Sequence, residues 1–173
     1  MKLLIAITGA SGAHLGLEFI RYLPKEIEPF LIMSDNAKKV FKKEYHNIEI
    51  FDANDIAAAP ASGSFGVDAT AIIPCSMNTL AKIALGISDN LITRAALVAI
   101  KEQKKLLLAP REMPLSPISL EHMSKLAHLG VIIAPPIIAY YSQIKTIKDL
   151  EKFLIGKWYD VLGIEHNLFK RWE

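Results

Sequence analysis

Lys2-Leu3-Leu4-Ile5-Ala6-Ile7-Thr8-Gly9-Ala10-Ser11-Gly12-Ala13 decides the fold. Residues 3–8 form an apolar run without polar alternation, closed by a hydroxyl. A strand of that kind is covered on both faces, as strands of parallel sheets are. Glycines at 9 and 12 then let the chain turn sharply, and a helical pattern follows over residues 13–23. A strand, a glycine turn and a helix in immediate succession form the opening half of a βαβ unit, whose first turn is a natural ligand site.

The same alternation continues to the end of the chain. Apolar runs at 29–33, 69–74, 105–109 and 131–134 predict four more strands. Helical periodicity predicts helices from 36 to about 43 and over 79–85, 91–102, 118–129 and 147–162. The expected architecture is α/β: a doubly wound parallel sheet of Rossmann or flavodoxin type, one domain over 1–173. Irregular stretches at 52–66 and 135–145 follow sheet elements, where binding loops belong.

Composition narrows the function. Of 173 residues, 51% are hydrophobic, enough for a sizeable core. A net charge of +2 without a long basic run gives no sign of nucleic acid. The start lacks a basic leader with a cleavage site, and no apolar run approaches the ~20 residues of a membrane span, so a soluble cytoplasmic protein is expected. Cys75 is the only cysteine, and His14, His46, His122, His128 and His166 show no metal-ligand spacing; no metal is assigned.

Small polar residues gather at the strand ends. Gly9-Ala10-Ser11-Gly12 and Pro74-Cys75-Ser76-Met77-Asn78-Thr79 both stand at strand-to-helix junctions, and Ser34 follows the second strand. Each serine caps a helix or holds a ligand; three such junctions on one edge describe a nucleotide or flavin-phosphate cleft. Pro60-Ala61-Ser62-Gly63-Ser64-Phe65-Gly66 is a surface loop or a phosphate contact. Arg94 and Lys101 are seven apart on one helix and share a face. Arg111-Glu112, between Pro110 and Pro114, combines binding with proton transfer or is a surface ion pair. Tyr140-Tyr141 follows Pro135-Pro136 on a stiff loop.

With Gly9-Ala10-Ser11-Gly12, Ser62-Gly63-Ser64-Phe65, Pro74-Cys75-Ser76-Met77, Thr93-Arg94-Ala95-Ala96, Arg111-Glu112-Met113-Pro114-Leu115 and Tyr140-Tyr141 in this order, the chain resembles the flavin prenyltransferases. The resemblance runs through Leu168-Phe169-Lys170-Arg171-Trp172. It implies a homododecamer that joins dimethylallyl phosphate to N5 and C6 of reduced FMN without a metal, supplying prenylated FMN to a partner decarboxylase. It implies FMN contacts from Gly9, Ala10, Ser11, Ser34, Ser76, Met77, Asn78, Thr79 and Arg111. Ser62, Arg94, Lys101, Glu112, Tyr141 and Lys157 would surround the prenyl phosphate, with Glu44 reaching it from a neighbouring subunit; Ser11 and Glu112 would be catalytic.

Asn78 stands where many members carry Gly or a basic residue. Pro-Cys-Ser-Met-Asn-Thr is also similar to a motif of FMN-dependent cysteine decarboxylases, which act on peptidyl or pantothenoyl cysteine. Tyr141-Ser142-Gln143-Ile144-Lys145 mimics the Tyr-x-x-x-Lys of short-chain dehydrogenases, but after two prolines instead of on a helix. A non-catalytic flavin-binding protein is the remaining alternative.

Overall fold

The structure, a computed structural model, describes residues 1–9, 12–34, 48–140 and 144–171. The helix predicted from residue 36 lies outside them.

Six parallel strands form one sheet in the order β3-β2-β1-β4-β5-β6. They are β1 (Lys2–Ile7), β2 (Glu28–Met33), β3 (Glu49–Asp52), β4 (Ala69–Cys75), β5 (Lys105–Pro110) and β6 (Ile132–Ile133). Helices α1 (Ala13–Arg21), α2 (Met77–Ala84), α3 (Leu91–Lys101), α4 (Pro117–His128) and α5 (Ile147–Leu162) cover its faces, and two 3-10 turns, Ala59–Ala61 and Gly63–Phe65, bridge β3 to β4. The sheet therefore has one strand more than the five predicted. Glu49-Ile50-Phe51-Asp52 is an edge strand with exposed residues at both ends, so it carries no continuous apolar run. The irregular stretch predicted from residue 52 starts on the last residue of that strand.

Alternation along each strand builds two cores. Leu3, Ile5 and Ile7 pack with Phe19, Trp158 and Tyr159 on the side of α1 and α5. Leu4 and Ala6 point the other way, to Leu80, Leu91, Ala95 and Leu126 from α2, α3 and α4. Burial on both faces is why these strands read as unbroken apolar runs.

α1 lies tight against the sheet because of Gly16. A Cβ there would run into the Ile73 carbonyl and the Ile7 side chain, so only a hydrogen fits. α5 holds α1 from outside. The Tyr159 ring meets Phe19 edge-on at a centroid distance of 4.8 Å, and its hydroxyl donates to the Phe19 carbonyl. Trp158 donates from its indole N–H to the Ala134 carbonyl at 2.9 Å, tying α5 to the segment after β6. Thr146 and Asp149 exchange capping hydrogen bonds at the start of α5, and Gly163 closes its end.

Two buried acids make this packing sensitive to alkali. Burial pushes the Cys75 thiol from 9.0 up to about 12, and burial also raises the Tyr159 phenol well above its ordinary range. Both groups are neutral in the fold and ionise earlier once unfolded. Their stabilisation is therefore complete below the unfolded pKa values and is lost as pH climbs through the folded ones. The urea midpoint is expected to fall steadily between about pH 9 and about pH 12; a midpoint that stays flat over that window contradicts the burial of these groups.

Candidate functional site

The sheet changes direction of growth between β1 and β4. From β1 the chain builds outward to β2 and β3; from β4 it builds the opposite way to β5 and β6. Connections leave the two central strands toward opposite sides, and a crevice opens at their carboxyl ends.

Thr8 sits at that point. Its buried hydroxyl donates to the Pro74 carbonyl at 2.8 Å and accepts from the Ser76 N–H at 2.9 Å. One side chain thus joins the ends of β1 and β4 across 66 residues of sequence. The open cleft above it measures ≈ 370 Å³ and is lined by Gly9, Ser34, Asn54 and Asn90, with Ser76, Asn78 and Thr79 from the start of α2. Ser76 caps α2: its Oγ accepts from the Thr79 N–H at 3.2 Å and lies 2.9 Å from the Thr79 hydroxyl. It also faces the cleft, so capping and ligand contact are not exclusive roles here. Ser34 is fixed through its own N–H, which donates to the Ile7 carbonyl at 3.3 Å.

α1 also begins on this edge. Gly12 opens it at φ +101°, a left-handed conformation that favours glycine, with no side-chain cap on the leading amides. The Arg111 N–H donates to the Cys75 carbonyl at 3.3 Å, and the Arg111 stem passes beside Gly12, 3.5 Å from where a Cβ would stand. Arg111 therefore stands beside the start of α1, on the β5 side of β4. Glu112 follows it, exposed, and among the described residues its Oε1 accepts only the adjacent Met113 N–H, at 3.1 Å. Hydroxyls, amides and the starts of α2 and α3 around a polar cleft, with the Arg111 stem beside Gly12 on the same edge, suit a phosphorylated, hydroxyl-bearing ligand such as FMN. Met77 is half-buried in the first turn of α2.

The residues expected around the prenyl phosphate are spread more widely. α3 runs antiparallel to the strands: the Leu91 N–H donates to the Ala53 carbonyl at the carboxyl edge, while Lys101 ends the helix just before β5 begins. Arg94 and Lys101 are both exposed on its outer face, separated by roughly 10 Å of helix rise. Arg94 donates to the Ala61 carbonyl at 3.0 Å, which places it beside Ser62. Ser62 is engaged with Ser64, hydroxyl to hydroxyl at 2.8 Å. Lys101 pairs with Glu102 at 2.7 Å, a contact that holds the glutamate carboxyl below its ordinary range. Lys157 stands on α5, across the sheet from α3, at the rim of an apolar groove of ≈ 570 Å³ lined by Pro135, Ile137, Phe153 and Trp158. A single chain gathers the cleft residues and puts Arg94 near Ser62; it does not bring Arg94, Lys101 and Lys157 together. Ala10, Ser11, Glu44 and Tyr141 lie outside the described residues.

Five residues that line the cleft are absent from the site set read from the sequence: Thr8, Ala53, Asn54, Asn90 and Ile92. Thr8 was visible as a hydroxyl ending a buried strand and Asn90 as a cap signal before the apolar run of α3. Among the described residues, no helix is long and apolar enough to cross a membrane.

The Flavoprotein family model matches residues 1–159 of this chain. The UbiX flavin prenyltransferase of Helicobacter pylori (strain J99) is 50% identical, with 99% of this chain and 98% of that protein covered. A solved dodecameric FMN-dependent UbiX-like decarboxylase from Escherichia coli O157:H7 is 39% identical, with a TM-score of 0.95 and both chains fully covered. AnUbiX (PadA1), solved in complex with FMN and dimethylallyl pyrophosphate, gives a TM-score of 0.92 at 36% identity, covering 99% of this chain and 97% of that one. Agreement in sequence over the full length and in backbone places this chain in the Flavoprotein family and, within it, among the flavin prenyltransferases.

Proposed function

We propose that this protein is a flavin prenyltransferase, transferring a dimethylallyl group from a phosphate ester to reduced FMN, forming bonds at N5 and C6, to make a cofactor for a partner decarboxylase. The observation that carries the reading is the hydroxyl-lined cleft at the β1/β4 switch point, in a chain half identical to a UbiX flavin prenyltransferase. Reduced FMN supplies the nucleophilic ring; the chain's own residues bind it, neutralise the leaving group and move protons. Gly9, Ala10, Ser11, Ser34, Ser76, Met77, Asn78, Thr79 and Arg111 are the FMN contacts in this reading.

The carbon–oxygen bond of the donor breaks with its electron pair on phosphate, so positive charge must meet the departing oxygen. Arg94, Lys101 and Lys157 carry that charge, Tyr141 adds a phenolic donor and Ser62 a hydroxyl. Bond formation at C6 releases the ring proton, and in this reading Glu112 and Ser11 are the residues that take and return protons. Arg94 and Lys157 project from opposite faces of the sheet, so a shared site needs more than one subunit. A homododecamer with the neighbour's Glu44 at the donor phosphate meets that need, and the E. coli relative solved as a dodecamer supports it.

Mass spectrometry of flavin recovered after incubating the protein with reduced FMN and dimethylallyl phosphate tests the reaction. A flavin heavier by one isoprene unit is expected; unchanged flavin with both dimethylallyl phosphate and pyrophosphate refutes it. Light scattering tests the assembly, and a fully active monomer would exclude the shared site.

Arg94→Ala and Lys101→Ala separate donor from acceptor binding. Each removes a charge-assisted contact worth about 1.5–3 kcal/mol, so turnover at limiting donor is expected to fall tenfold or more. FMN affinity should hold. Normal donor use by both variants would remove these residues from the site.

A further inference from the structure

Asn90 lines the cleft together with Ser34, yet no role toward a ligand follows from its position as the cap of α3. Its carboxamide has one possible orientation. The Thr93 N–H can only donate, and it meets one terminal atom of Asn90 at 3.0 Å, so that atom is Oδ1. A flip would set NH2 against N–H. The Thr93 hydroxyl meanwhile accepts from the Asn90 backbone N–H at 3.3 Å, closing the capping box. With Oδ1 turned to the helix, Nδ2 is turned away from it, and among the described residues no acceptor meets Nδ2.

The surroundings hold this side chain in place. Lys82 near the end of α2 pairs with Asp89, the residue before Asn90, and Asp89 Oδ1 lies 3.4 Å from the Thr93 hydroxyl. The Leu91 N–H is bound to the Ala53 carbonyl at 2.8 Å. The two helices that contribute Asn78, Thr79 and Asn90 to the wall are thereby pinned to each other and to the end of β3. Asn90 is half-buried on this cleft wall, and an NH2 group there loses water when a ligand fills the cleft and then needs an acceptor.

We propose that Asn90 is a two-sided residue, capping α3 through Oδ1 and donating from Nδ2 to an oxygen of bound FMN. The inference rests on the FMN-binding reading above and adds a ligand contact outside the FMN set derived from the sequence. Phosphate, ribityl hydroxyl and ring carbonyl oxygens share the acceptor chemistry that Nδ2 requires.

Asn90→Ser tests it, because serine caps a helix about as well as asparagine but lacks the Nδ2 donors. Titration monitored by flavin fluorescence is expected to show about tenfold weaker FMN binding than wild type. The thermal midpoint of the flavin-free protein should not move. Riboflavin titrated in parallel locates the acceptor: equal weakening puts it on the ring or ribityl chain, weakening confined to FMN puts it on the phosphate, and both support the contact. Unchanged FMN affinity in the variant, or a loss matched by a fall in thermal midpoint, overturns it. Wild-type protein that fails to bind FMN would instead bring down the functional reading on which the contact depends.

Discussion

Glu112→Gln is expected to slow prenyl transfer by about 10²–10⁴-fold, the usual range for a lost acid–base group. The substitution keeps shape and hydrogen-bonding length but removes the titratable proton. The backbone just before Glu112 is anchored: Pro110 ends β5, and the Arg111 N–H is held by the Cys75 carbonyl. The glutamate itself is exposed, and among the described residues its carboxylate accepts only the next residue's N–H. It is therefore available to a substrate without first breaking an ion pair. FMN affinity should survive, since Arg111 remains. Single-turnover rates across pH are the measurement. If variant and wild type react at equal rates at every pH, Glu112 moves no proton.

Tyr159→Ala should produce the largest loss of stability. The ring is fully buried and packs edge-on against Phe19. Truncating a buried aromatic costs about 3–5 kcal/mol, out of a total stability of roughly 5–15 kcal/mol. The Phe19 carbonyl also loses its side-chain donor. Tyr159→Phe, which keeps the ring and drops only the hydroxyl, is expected to cost about 1 kcal/mol. Urea unfolding of the pair separates packing from hydrogen bonding. Equal midpoints for the two variants would mean that the ring contributes little and that α5 does not hold α1.

The parts of this molecule legible in its sequence are those with a local cause. β1, β2, β4 and β5 announce themselves because both faces of the sheet are covered, which removes polar alternation. α5 was readable over its whole length, residues 147–162, from its apolar stripe. β3 was not, because an edge strand of four residues with exposed ends looks like loop. β6 is only Ile132–Ile133, an edge strand with one neighbour, β5; Ala134 still donates to the Leu108 carbonyl before the chain runs on into Pro135-Pro136. The hydroxyls of Ser34, Ser76 and Thr79 were legible as an edge because the strands are parallel and their turns share one end. Thr8 was harder: its meaning lies in partners 66 and 68 residues away. Asn90 was hidden by sufficiency, since capping alone explains an asparagine before Leu91. The spacing of Arg94 and Lys101 was correctly read as one helical face. The direction of that face depends on which way α3 crosses the sheet, a tertiary fact that spacing does not encode.

Thr8 has one more consequence, for motion. The two halves of the sheet meet at β1 and β4, and past the last rung of their ladder the Thr8 hydroxyl latches them together. Any breathing between the halves has to release the Ser76 amide from that hydroxyl and expose it to solvent. The Ser76 N–H is thus a built-in gauge of hinge opening, readable by hydrogen exchange. A ligand that touches both Gly9 and Ser76 ties the halves a second time, so its arrival should slow exchange at this one amide more than at its neighbours deeper in β4.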